Sequence, residues 1–120
     1  MANESASPLV DPTLIAEIRR IEQMTGRNDV LAGFVVKLEG LLKGFGGTFS
    51  DHVARGDGAG AVRAAHTLKG TCLQLGAQAL GEMFAEVERI AKTGDYAGAK
   101  RKFDDGASLV TRSLEALRQA

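Results

Sequence analysis

Apolar residues along this chain recur at intervals of three and four, the spacing that gathers them on one side of an α-helix, in one short stretch and four longer ones. Leu14, Ile15, Ile18, Ile21 and Met24 form the short stretch, with Asp11-Pro12 as N-cap and first helical residue and Gly26 as its stop. After a cap at Asn28, the positions Leu31, Phe34, Val35, Leu38, Leu41, Leu42, Phe45, Phe49 and Val53 keep one buried face for about six turns. Gly40, Gly44, Gly46 and Gly47 weaken that helix and favour a bend, since an interior glycine costs up to about 1 kcal/mol relative to alanine, yet the periodicity runs through them.

Arg55-Gly56-Asp57-Gly58 interrupts the pattern, and Asp57 caps a helix whose inner stripe is Ala61, Ala64, Ala65, Leu68, Cys72 and Leu75. Gly76 then makes a turn so short that the next helix must be an antiparallel neighbour. That helix presents Leu80, Met83, Phe84, Val87, Ile90 and Ala91 along one face up to Lys92-Thr93-Gly94. Asp95 caps the last one, where Tyr96, Ala99, Phe103, Ala107, Val110, Leu114 and Leu117 share a face and Lys100, Arg101 and Lys102 form the solvated side. No stretch alternates with the period of a strand, and no repeat or linker divides the chain. The pattern therefore predicts an all-α fold, an antiparallel up-and-down four-helix bundle with a short additional N-terminal helix across one end. Residues 1–10 read as a flexible polar leader and 11–120 as a single domain.

The chemistry lies on the polar side of the helix that Asp57 caps. His66 falls about 160–200° around the axis from Leu68, so it faces away from the apolar stripe. Residues three and four apart are neighbours on a helix, which surrounds His66 with Val62 and Arg63 one turn before, Lys69 and Gly70 one turn after, and Leu73 two turns after. A neutral imidazole is a nitrogen nucleophile near pH 7 and suits the acceptance of a phosphoryl group. Gly70 removes the side chain that would hold a second protein away from the ring, and Lys69 brings an ammonium that can pair with phosphoryl oxygens.

His66, Leu68, Lys69 and Gly70, followed by Leu75, Gly76 and Ala77, resemble the signature of the histidine-containing phosphotransfer (HPt) domain of bacterial two-component phosphorelays. The resemblance implies a helical bundle in which His66 carries a phosphoryl group on Nε2 between the aspartates of response-regulator receiver domains. A hybrid histidine kinase would stand upstream. Many members place a glutamine on the following helix against the imidazole, and the corresponding position here is Glu88. A carboxylate there would accept the Nδ1 proton and leave Nε2 to attack, as in chemotaxis-kinase phosphotransfer domains that carry glutamate. The alternative for Glu88 is one more exposed charge among Glu82, Glu86 and Arg89. Val62, Arg63, Gly70, Leu73 and Gln74, together with the first helix, are the expected docking surface, with burial under the first helix as the other role for Leu73. The resemblance also implies that Mg²⁺ belongs to the partner receiver domain, with no cofactor on this chain.

Composition narrows the partners further. Fifteen basic and fifteen acidic residues cancel, which argues against nucleic acid or an anionic membrane as the main partner. There is no membrane-length apolar run and no signal peptide, and the single cysteine, Cys72, reads as a core residue in a reducing compartment, so a cytoplasmic monomer is expected. His52 reads as a solvated or capping residue, and two isolated histidines make a poor metal site. Gly44-Phe45-Gly46-Gly47 lacks the following Lys-Ser/Thr of a phosphate loop, so ATP-dependent kinase activity is not expected. Two other readings remain open. One is a helical adapter without chemistry. The other is a histidine-kinase dimerisation and phosphoacceptor domain, although Thr67 stands where that family has an acidic residue.

Overall fold

Asp11 opens the first helix in the computed structural model, which describes residues 8–120: its carboxylate accepts the Thr13 N–H at 2.9 Å, and Pro12 occupies the first turn. Helix α1 (Pro12–Thr25) stops at Gly26, whose φ of 73° lies in the left-handed region. Then follow α2 (Val30–Ala54), α3 (Gly58–Gln74), α4 (Gln78–Lys92), α5 (Tyr96–Asp105) and α6 (Ala107–Gln119), and no strand occurs among the described residues. The fold is all-helical. Asp57 and Asp95 cap α3 and α5 by accepting the Gly60 and Gly98 N–H groups at 2.9 Å, as their positions before apolar runs predict.

The periodic residues of α2, α3 and α4 meet in one core. Leu38, Phe45, Phe49, Ala61, Ala65, Cys72, Leu80, Phe84, Val87 and Leu117 are almost wholly removed from water. Phe45 stands at its centre, with ring centroids 5.5 Å from Phe49, 5.1 Å from Phe84 and 4.7 Å from Phe103, which ties α2 to α4 and α5. Helix α3 packs most extensively on α4, then on α2, and the small side chains of its inner stripe permit that approach. Burial pushes the Cys72 thiol up to about 12, so it is a packed core residue with little thiolate character.

The α3–α4 turn is the anchor of the N-terminal segment. Gly76 adopts φ 82°, and the Ala77 N–H returns to the Cys72 carbonyl at 2.8 Å. The Asp11 N–H donates to the Gly76 carbonyl at 2.7 Å, and the Ala79 N–H donates to the Pro8 carbonyl at 3.1 Å. Val10 packs against the core. Of the expected leader, Pro8 thus accepts one hydrogen bond and Val10 packs inward, and residues 1–7 lie outside the described residues.

The far end of α1 is fixed by a contact that hydrophobic periodicity does not signal. Glu22 is buried and accepts the Leu31 N–H at 3.0 Å, so α1 caps the start of α2 from outside. Asn28 is not the cap expected there; Asp29 precedes α2, makes no side-chain capping bond, and pairs with Arg27 at 3.0 Å. Arg19, 2.7 Å from Glu22, together with the Leu31 N–H, holds the Glu22 carboxyl below the usual carboxylate range. Arg19 also donates to the Ala120 carbonyl, which joins α1 to the end of α6. With Glu22 turned inward, Ile21 and Met24 point out at 50% and 78% exposure, contrary to their expected place on the buried face. Phe34 is likewise 42% exposed on α2.

The last helix is two helices. Gly106 stands between α5 and α6, and the Met83 sulfur of α4 fills the place a Cβ would take there, so a side chain is excluded at that position. The break rotates the following turn, so Ala107, expected in the core stripe, is exposed, whereas Val110, Leu114 and Leu117 still pack inward.

Candidate functional site

Helices α3 and α4 lie side by side, so one face of each contributes to a shared surface around His66. The His66 side chain is 64% exposed, while Ala65 and Leu68 beside it in sequence are buried, in agreement with the helical phase read from the pattern. Its Nδ1 lies 3.1 Å from Oε2 of Glu88 on α4. Lys69, one turn further along α3, places Nζ 2.7 Å from Oε1 of the same carboxylate, and Lys92, one turn beyond Glu88 on α4, places Nζ 3.3 Å from Oε2. The buried carboxylate is therefore the hub of the site.

Electrostatics fixes which groups donate. Burial alone would raise the Glu88 pKa, but the contacts with Lys69, His66 and Lys92 outweigh it and hold the carboxyl down at about 2. An ionised carboxylate only accepts hydrogen bonds, so the contact with the imidazole requires a proton on Nδ1. A neutral His66 ring then carries its lone pair on Nε2, the nitrogen away from Glu88. Of the two readings of Glu88, exposed charge or partner of the imidazole, the geometry matches the second.

The lowered pKa has a consequence for stability. A carboxyl that titrates near 4.5 when unfolded and near 2 when folded contributes stability in full above pH 4.5, and loses it as pH falls between 4.5 and 2. A Glu88→Gln protein should therefore lose less stability than the parent across that window in urea melts taken at successive pH values. Parallel acid limbs for the two proteins would contradict the assignment.

The expected docking residues all lie on α3. Arg63 and Gln74 are exposed, Val62 is half-buried against the core, and nothing stands within 4 Å of a Cβ added at Gly70. Leu73 is only partly covered. It is 40% exposed and leans on α4, where its Cδ2 lies 2.5 Å from a Cβ added at Gly81. His52 is far from this group in role: its Nδ1 meets Asp57 Oδ2 at 3.0 Å and braces the α2–α3 turn. Among the described residues, no cluster of three or more His, Cys, Asp or Glu could hold a metal ion, and no helix is long and apolar enough to cross a membrane.

Comparison with protein families then decides the kinship. The model of the Hpt domain matches residues 29–120. The chain belongs to the Hpt family. Membership implies phosphotransfer in phosphorelays, among proteins that interact with receiver domains and kinases. No curated protein and no solved structure matches the chain. Within this Hpt domain, Lys92 is the site residue that sequence reasoning passed over, although its i,i+4 spacing from Glu88 was a usable signal.

Proposed function

We propose that this protein is a histidine phosphotransfer carrier in two-component signal transduction, relaying a phosphoryl group between receiver-domain aspartates through His66. The observation that carries the reading is an exposed imidazole whose Nδ1 is held by a buried, ionised carboxylate, which leaves Nε2 open to a partner. In the transfer step the Nε2 lone pair forms the N–P bond as the aspartyl O–P bond breaks, and the electron pair leaves on the aspartate carboxylate. Onward transfer is the reverse with a second aspartate. Glu88 orients the ring, and Lys69 keeps Glu88 charged. The receiver domain supplies the aspartate and Mg²⁺, with a hybrid histidine kinase as the upstream source, and this chain has no ATP-dependent kinase activity of its own. The reading takes the fold as an up-and-down four-helix bundle whose fourth member is α5 with α6, crossed at one end by α1, in a cytoplasmic monomer.

The test is incubation with a receiver domain carrying labelled acyl phosphate. Acid-labile label appearing on this protein, as expected of phosphohistidine, supports the carrier. Folded protein that takes no label from any receiver of its source organism would favour a non-catalytic adapter instead.

Two variants examine the parts. Glu88→Ala is expected to slow transfer by about 100-fold, the order of the cost of misplacing a reacting group, with the circular dichroism of a folded helical protein. An unchanged rate would remove Glu88 from the mechanism. Gly70→Gln fills open space on α3, so it should stay folded, yet place a side chain where the receiver must approach and reduce transfer by about 10-fold or more. Full transfer by that variant would reject close docking at Gly70 and, with it, the surface formed by Val62, Arg63, Leu73 and Gln74.

A further inference from the structure

Two ammonium groups share one carboxylate at this site, and they are not equivalent. Lys69 contacts Glu88 Oε1 at 2.7 Å with its side chain 28% exposed. Lys92 contacts Oε2 at 3.3 Å with its side chain 63% exposed, and Oε2 is also the oxygen that holds His66 Nδ1, at 3.1 Å. Taking Lys69 away would leave Oε1 of a side chain only 7% exposed without its short-range partner, a costly state for a buried charge. Taking Lys92 away leaves Oε2 still satisfied by the imidazole N–H.

The geometry points to Lys92 as the phosphoryl-binding cation of the site, leaving Glu88 for the phosphoryl oxygens when His66 is phosphorylated while Lys69 remains on Glu88. The inference rests on His66 as the phosphoacceptor. It reverses the role that sequence position suggests for Lys69, which lies one turn from His66 but is tied down. Charge favours the exchange. One carboxylate against two ammoniums leaves one positive charge in excess, and a phosphoryl group brings between one and two negative charges to the solvent side of the ring. Formation of the N–P bond also makes the ring cationic, which strengthens the Nδ1–H bond to Oε2 and reduces the need of that oxygen for Lys92. The flexible four-carbon stem of Lys92, at the exposed end of α4, lets its ammonium turn from one anion to the other. Its other role would be that of an ordinary i,i+4 partner at a helix C-terminus.

The experiment phosphorylates the protein chemically with phosphoramidate, which needs no partner, and follows the phosphohistidine resonance by ³¹P NMR across pH. Lys92→Ala is expected to raise the midpoint of the second phosphoryl ionisation by about half a pH unit, the effect of removing one nearby cation from a solvated dianion. Lys92→Arg should restore the parent midpoint. Lys69→Ala should move the phosphoryl midpoint less and disturb the ¹⁵N signature of the His66 tautomer instead. Superimposable curves for Lys92→Ala and the parent, or a larger phosphoryl shift for Lys69→Ala, would overturn the inference. The same phosphohistidine resonance persisting in a folded His66→Gln protein would overturn the phosphoacceptor reading itself, and the inference with it.

Discussion

A His66→Gln protein is expected to fold as the parent does and to accept no acid-labile phosphoryl group from a receiver domain. The His66 side chain is 64% exposed, so its replacement removes little packing, and surface substitutions of this kind usually change stability by less than about 0.5 kcal/mol. Glutamine also offers an amide N–H to Glu88 where the imidazole offered Nδ1–H, and Lys69 and Lys92 continue to neutralise the carboxylate. What it lacks is a basic ring nitrogen, because the amide lone pair is delocalised and does not attack phosphorus. The loss should therefore be complete, with helical circular dichroism and melting temperature close to those of the parent. His52 is the internal comparison: its imidazole remains in the variant and its Nδ1 also meets a carboxylate, that of Asp57 at 3.0 Å, but its side chain is only 24% exposed against 64% for His66, so it is far less open to a partner. Acid-labile label persisting on the variant would move the phosphoacceptor away from His66.

How much of this was readable beforehand depends on whether a residue's role is set by its own helix or by a neighbour. The alternation of Ala61, Ala65, Leu68 and Cys72 is a property of α3 alone, and it suffices to place His66 outward. The same holds for Leu80, Met83, Phe84 and Val87 on α4. Glu88 shares the phase of buried positions, so burial together with three positively polarised neighbours was implicit in the helix pairing, though the pattern alone did not choose it over an exposed charge.

Contacts between elements were less legible. Ile21 and Met24 obey the apolar spacing of α1, but α1 touches the rest of the molecule on one side only, and the capping of α2 by Glu22 sets its rotation. Gly106 looks in sequence like the glycines at positions 40, 44, 46 and 47 that α2 absorbs. It differs because Met83 occupies the space its Cβ would need, whereas Gly40, Gly44 and Gly47 face nothing within 4 Å. The demand for glycine at position 106 thus comes from a side chain of α4, a contact that local propensity does not contain.

Phe45→Ala is the complementary experiment, expected to damage the fold while sparing the chemistry. Phe45 is 2% exposed and touches the rings of Phe49, Phe84 and Phe103, so truncation removes its transfer free energy and opens a cavity that three rigid neighbours cannot readily fill. A cost of about 3–5 kcal/mol follows, a large fraction of the roughly 5–15 kcal/mol that stabilises a typical domain. In a chain of 120 residues, that loss should lower the melting temperature by about 10–20 °C. The site is built on α3 and α4, and Phe45 belongs to α2, so the residues that hold His66 keep their partners wherever the variant is folded. Transfer measured well below the new melting temperature, and normalised to folded protein, should stay within about 2-fold of the parent, since distant sites act nearly independently. A small change in melting temperature would show that the aromatic cluster is not the centre of the core. A large fall in normalised transfer would show instead that the α3–α4 pairing depends on the rings behind it, and that the site is held by the whole bundle more than by Glu88.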